Sequence, residues 1–267
     1  MALVLRPVDP WDEAEMDVLQ DLYVEAARAE VPDARLYSRA DSVAPLRREG
    51  GEVFSHAFAA LDDEAMVGQA WVVGNTVANT HVERRQRLPM DEATLSRLEA
   101  EAAAGAATYR LQTVVGPIPA ELAQGFCDIY NLLNVEMPTG AIELEAARRT
   151  PALLADQDEE ILEQGRTRVT VLAFAPDGST VAQTCATTGS VDTGVDQWST
   201  IVRPDHRGHR LGLAVKTALT RTLQEGFPDH TYVRTQNAET NAPMVAINEA
   251  MGFEVHTVEG EFQHRLT

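Results

Sequence analysis

The segment Val202-Arg203-Pro204-Asp205-His206-Arg207-Gly208-His209-Arg210-Leu211-Gly212-Leu213 gathers three arginines, two histidines and two glycines within twelve residues. A β-favouring run, 197–202, leads into it, and Leu211, Val215, Ala218, Leu219 and Thr222 follow at the spacing of one helical face. A chain that passes from a strand through a Gly- and Arg-containing loop into a helix presents unpaired backbone amides and the positive end of the helix dipole. An anion can settle there, and the glycines let it come close. Arg203, Arg207 and Arg210 add charge at the same place, in a chain that is otherwise strongly acidic. The chemistry expected of the segment is phosphate binding, with a surface turn that happens to be basic as the plainer alternative. It has neither the Gly-Lys-Ser/Thr of a Walker loop nor the GxGxxG of a dinucleotide turn.

A second segment stands downstream. Residues 232–236 read as a strand, followed by Asn237-Ala238-Glu239-Thr240-Asn241 and a helix that closes at Met251-Gly252-Phe253. Asn237 and Asn241 are placed to contact a ligand or to cap the helix. His206 and His209 lack a third ligand at a recognisable spacing, so no metal site is expected. Cys127 and Cys185 are too few and too isolated for a disulfide framework and read as small buried apolar residues.

These segments need a scaffold, and the rest of the chain supplies one. A short strand over 3–6 is stopped by Pro7, and Met16, Leu19, Tyr23, Ala26 and Ala27 mark a helix within 11–30. Strands over 53–60 and 65–73 flank the acidic Asp62-Asp63-Glu64, so the first 75 residues read β-α-β-β. An Ala- and Glu-rich helix over 91–107 connects to a new strand at 109–115, then to helices over 121–133 and about 151–164. Strands over 168–175 and 180–188 flank Pro176-Asp177-Gly178-Ser179, a tight-turn composition. Val67-Gly68-Gln69-Ala70 aligns with Val181-Ala182-Gln183-Thr184 at an offset of 114, an echo of one half in the other. Only the second half continues into the strand, basic loop and helix.

With 22 Lys plus Arg against 41 Asp plus Glu, the formal charge of −19 repels a polyanion, so nucleic acid is excluded as a partner, while amines and other cations are attracted. No stretch approaches the roughly 20 apolar residues of a membrane span, so a soluble, cytoplasmic protein with no membrane partner is expected.

The run VRPDHRGHRLG resembles the acyl-CoA pyrophosphate loop of the GNAT acyltransferase superfamily, here as Arg207-x-x-Arg210-x-Gly212 with Arg210 in place of a small residue. The Asn237–Asn241 helix start and the Gly252-Phe253 close are similar to the second half of the same cofactor site. The resemblance implies an α/β (α+β) GNAT fold, a mixed central sheet flanked by helices, in a tandem whose first half is incomplete. The halves are an N-terminal domain over 1–88, a connecting helix over 89–108 and an acyl-CoA-binding domain over 109–267. It implies acetyl-CoA or another acyl-CoA as co-substrate, held by Ile201, Val202, Arg203, Arg207, Gly208, His209, Arg210, Leu211, Gly212, Asn237 and Asn241. The backbone around 200–202 would polarise the thioester carbonyl. The family's base position, six residues before Val202, falls on Asp196, with His206, His209 and Glu239 as weaker alternatives. The position of the family's catalytic Tyr falls on Asn248, which cannot act as an acid but can hydrogen-bond a thiolate. The activity implied is N-acyl transfer to a small-molecule amine. A non-catalytic acyl-CoA-binding sensor or assembly protein is the alternative. An incomplete first half leaves a homodimer open, since three strands and a helix do not cover both faces of a sheet.

Overall fold

The computed structural model describes residues 4–7, 9, 11–30, 38–39, 57–62, 65–71, 77–136, 148–189, 193–237 and 241–262. The chain divides into two compact units, residues 1–76 with 190–192 and 263–267, and residues 77–189 with 193–262.

In the first unit β1 (Val4–Pro7), α1 (Glu13–Glu30), β2 (Ala57–Asp62) and β3 (Ala65–Trp71) follow in the expected β-α-β-β order. The strands form an antiparallel sheet, β1-β2-β3, with β2 and β3 paired up to Asp62 and Ala65. The outer ends of the two expected strands, 53–56 and 72–73, lie outside the described residues. Asp12 starts α1 by accepting from the amides of Ala14 and Glu15 at 3.0 and 3.1 Å, which satisfies donors that no helical carbonyl reaches. Met16 and Leu19, three residues apart, form the buried stripe of the helix.

The second unit comprises β4 (Val77–Arg87), α2 (Glu92–Gly105), β5 (Arg110–Val115), α3 (Ala120–Glu136), α4 (Pro151–Glu163), β6 (Arg168–Phe174), β7 (Thr180–Thr188), β8 (Gly194–Val202), α5 (Leu211–Gly226), β9 (Tyr232–Asn237), α6 (Ala242–Ala250) and β10 (Glu254–Phe262). Its seven strands run β10-β4-β9-β8-β7-β6-β5, antiparallel throughout except for β8 beside β9. β4 fills the gap between β9 and β10, and α2 packs on α5. Both lie in the second unit, because the partners of β4 stand some 150 residues further along the chain and local pattern carries no record of them.

One apolar layer lies between the sheet and α2 with α5, built from Leu98, Val169, Val171, Ala182, Val215, Leu219 and their neighbours. The other face of β5–β7 is covered by α3 and α4 through Phe126, Leu154, Leu172 and Phe174. Cys127 and Cys185 sit in this second layer as free, buried thiols. Asp158 of α4 fastens it from within, accepting from Arg168 at 2.6 Å and from the Ile118 amide at 2.9 Å. On the outside, Arg221 of α5 reaches both Glu92 and Glu99 of α2. Among the described residues no helix is long and apolar enough to cross a membrane.

Candidate functional site

The site is built on a parting of strands. β9 pairs with β4 from Tyr232 to Asn237 but with β8 only from Tyr232 to Thr235, opposite 194–197. A register shift between Cys185 and Ala186 sets Trp198 outside the β7–β8 ladder, at the point where β9 leaves. Such a bulge re-aims the strand, and from there to Val202 β8 is paired with β7 alone. The Arg203 amide donates to the Val181 carbonyl at 2.8 Å. By the alternation of an antiparallel ladder, the amides of Thr200 and Val202 then point away from β7, toward the opening.

A cavity of about 670 Å³ lies along this edge, lined among others by Thr200, Ile201, Val202, Arg207, Gly208 and Arg210 to Leu213, with Asn241, Met244 and Ile247 opposite. Its described lining residues belong to the second unit, and its size is that of a small-molecule site. At one end the loop turns through Gly208 at φ 85° and Arg210 at φ 56° before α5 begins. Among the described residues no side chain caps that helix, whose first hydrogen bond runs from the Ala214 amide to the Arg210 carbonyl. The preceding amides are thus left for an anion. Arg210 holds a left-handed conformation that costs an L-residue roughly 1–2 kcal/mol, which is why a small residue suits that position. A Cβ at Gly212 would stand 3.1 Å from Ile247 Cδ1: this glycine lets α5 and α6 approach at the cavity wall.

The three loop arginines differ in their engagements. Arg203 forms a two-pronged pair with Asp205 at 3.0 and 3.2 Å. Arg210 pairs with Glu101 of α2, its stem lying against Gly105. Arg207 donates to the Val202 carbonyl at 3.3 Å. The Arg203 and Arg210 pairs are exposed and worth about 1 kcal/mol or less, so both guanidinium groups can be exchanged onto a phosphate at small cost. His206 lines the cavity with Nδ1 3.1 Å from the Tyr109 hydroxyl, and the His209 ring lies 5.5 Å from that of Tyr109, off the wall. Among the described residues no group of three His, Cys, Asp or Glu could hold a metal.

The residues singled out from the sequence fall into two groups. Ile201, Val202, Arg207, Gly208, Arg210, Leu211, Gly212 and Asn241 are brought together on the cavity wall. Asn241 is also the cap of α6, accepting from the Met244 amide at 3.4 Å. Asn237 lies behind the wall, its Oδ1 accepting from Asn248 at 3.1 Å and from Arg84 at 3.2 Å. Asn248 is fully buried, and its Oδ1 has no hydrogen-bond partner among the described residues. Asp196 is buried as well, clamped between Arg166 at 2.6 Å and Arg234. It stands on the doubly paired part of β8 and does not line the cavity. Glu239 lies outside the described residues.

Sequence reasoning missed Leu98 and Glu101 of α2 and Leu133 of α3, which also line the cavity. It also missed Lys216, buried within α5. The one signal for Lys216 was a charged residue directly after the apolar run Leu213-Ala214-Val215.

No family model and no curated protein matches the sequence. Among solved structures, a tandem GNAT protein from the clavulanic acid biosynthesis pathway is similar over 99% of this chain and 100% of its own, at 20% identity and a TM-score of 0.64. A glucosamine N-acetyltransferase region of a fungal multi-domain β-N-acetylglucosaminidase is similar over 97% of this chain and 38% of that one, at 9% identity and a TM-score of 0.51. The mixed seven-stranded sheet with its flanking helices is the GNAT fold.

Proposed function

We propose that the protein transfers an acetyl or other acyl group from acyl-CoA to the amine of a small molecule by direct attack. The observation that carries this reading is one continuous cavity with an anion-binding end at Arg207–Gly212 and a hydrogen-bonding wall at Thr200 and Val202. The amides before α5 and the Arg207 and Arg210 guanidinium groups would hold a diphosphate. The Thr200 and Val202 backbone would pair with an extended, amide-bearing arm as a strand would, placing the thioester where β9 diverges. In the transfer the N–C bond forms as the C–S bond breaks, the electron pair stays on sulfur, and the proton lost by the nitrogen passes through water to the thiolate. The amine must attack as the free base, and the net charge of −19 favours the arrival of its cationic form.

A second reading, acyl-CoA binding without turnover, draws on one observation. Neither Asp196, with oxygens on both sides accepting from guanidinium groups, nor Asn248 stands on the cavity wall. Release of free thiol from acetyl-CoA, followed with a panel of small amines, separates the two. Thiol release that depends on an amine supports transfer. Saturable acetyl-CoA binding with no release in any amine supports the second reading, and unimpaired turnover after Arg203, Arg207 and Arg210 are all changed to Ala would overturn the site assignment.

A further inference from the structure

Lys216 is the most buried charged side chain among the described residues of the second unit, 1% exposed, and nothing in the scheme above uses it. Its Nζ donates to Gln197 Oε1 and stands 4.5 Å from the centre of the Phe253 ring. Gln197 Nε2 donates in turn to Thr184 Oγ1 at 2.9 Å. Thr184 Oγ1 donates to the Ser199 carbonyl at 2.9 Å and lies 2.9 Å from Thr200 Oγ1, and Thr200 lines the cavity. The chain therefore runs from an ammonium group in the core, through an amide and a hydroxyl, to a hydroxyl on the cavity wall. Gln197 is the last residue of β8 paired with β9, so the chain crosses the layer where the strands part.

The order of donors has a direction. Gln197 accepts from Lys216 with its oxygen and donates with its nitrogen, which obliges Thr184 to accept. When the single Thr184 hydrogen turns from the Ser199 carbonyl to Thr200, the Thr200 hydrogen is left for the cavity. Every link then donates outward from a positive charge, and such chains polarise one another. A group at the cavity end that becomes negative is the one this arrangement favours.

We propose that Lys216 is a positioning residue for the leaving group: through Gln197 and Thr184 it turns the Thr200 hydroxyl toward the sulfur of CoA and stabilises the thiolate released on acyl transfer. The inference rests on the acyl-CoA reading above. It gives the site a donor to sulfur that Asn248, off the cavity wall, does not supply. The proton lost by the amine still reaches sulfur through water, and before it arrives the electron pair of the broken C–S bond is held on sulfur by the Thr200 O–H. Burial, with no carboxylate contributing, lowers the Lys216 ammonium to a pKa of about 7. A thiolate at the end of the chain holds the proton on Lys216.

The test compares calorimetric affinities for CoA and acetyl-CoA from pH 6 to 10 in the wild type, Lys216→Met, Thr200→Val and the double variant. Thr200→Val is isosteric and keeps the backbone amide, so it stands as the control should Lys216→Met fail to fold. In the wild type the preference for CoA is greatest between the Lys216 value of about 7 and the thiol value of roughly 8.5. There the ammonium–thiolate pair binds no more and no fewer protons than the separate partners do. Each single variant lowers CoA affinity at pH 7.5 about tenfold, the loss expected of one charge-assisted hydrogen bond. Acetyl-CoA affinity falls by a smaller factor than CoA affinity in each, and the double variant loses no more CoA affinity than either single one. A CoA preference that is flat with pH and unchanged in the variants would overturn the proposal while leaving acyl-CoA binding intact. Binding of neither ligand by the wild type would overturn both.

Discussion

β8 is one strand with two characters. Over 194–197 it is paired on both sides, and its one acid, Asp196, is locked between Arg166 and Arg234. Over 199–202 it is paired on one side, and Thr200, Ile201 and Val202 form the wall of a cavity. The first segment commits all its polar groups to the protein, while the second leaves amides and a hydroxyl for something else. A strand can thus serve as frame and as cavity wall at once, and the boundary is set by where its neighbour leaves.

The sharpest way to break this comparison is to attack the frame. Asp196→Asn leaves Arg166 and Arg234 buried against a neutral group and lowers unfolding free energy by about 3–5 kcal/mol, read by urea unfolding. The protein that remains folded binds acetyl-CoA unchanged. Loss of affinity without loss of stability would mean that Asp196 belongs to the site after all.

Next in size is Lys216, where frame and edge meet. Its pKa falls from 10.5 to about 7 on folding, so between these values the unfolded chain binds the extra proton. Stability therefore rises with pH across that window, by about 1.4 kcal/mol per unit. The rise is lost below pH 7, where both states are protonated. Lys216→Met removes it, so a difference between wild type and variant that does not change from pH 7 to 9 would show a group that stays protonated in the fold.

Smaller effects sharpen the edge. Gly212→Leu pushes a side chain toward Ile247 and the cavity. It weakens acetyl-CoA binding by about tenfold or more, with a stability cost of about 1–3 kcal/mol, measured by titration and thermal unfolding. Arg210→Gly relieves the left-handed strain at φ 56° and loses the pair with Glu101. Stability rises by about 1 kcal/mol or less, and acetyl-CoA affinity falls a few-fold as one guanidinium is removed. A gain in affinity would mean that Arg210 serves the contact with α2 and not the ligand.

How much of this could be read from the residues follows from where their partners lie. The path of the basic loop was legible because Gly208 and Arg210 turn it within a few residues, and the hairpin at 175–179 because Gly178 takes φ 86° in its own turn. The order of elements was legible for the same reason, since turns and apolar periods are local. Asp196 was expected as a base because its spacing from Val202 fits. Its true partners, Arg166 and Arg234, are 30 and 38 residues away and meet it only when β8 is flanked by β7 and β9. Lys216 sits one residue past Val215 on a helix expected to bury a single face. It became a core residue because α5 is covered on more than one side, by the sheet and by α2. Asn248 was placed by resemblance at a cavity that its helix turns it away from.

The central claim is that the open edge of β8 and the loop before α5 form one acyl-CoA site. Titration calorimetry of the purified protein with acetyl-CoA, CoA and a longer acyl-CoA tests it most directly, with the Arg203, Arg207 and Arg210 triple Ala variant beside it. The account predicts saturable binding to the wild type and a loss of at least about tenfold in the variant. Heats indistinguishable from dilution with all three ligands, or equal affinity in wild type and variant, would contradict it.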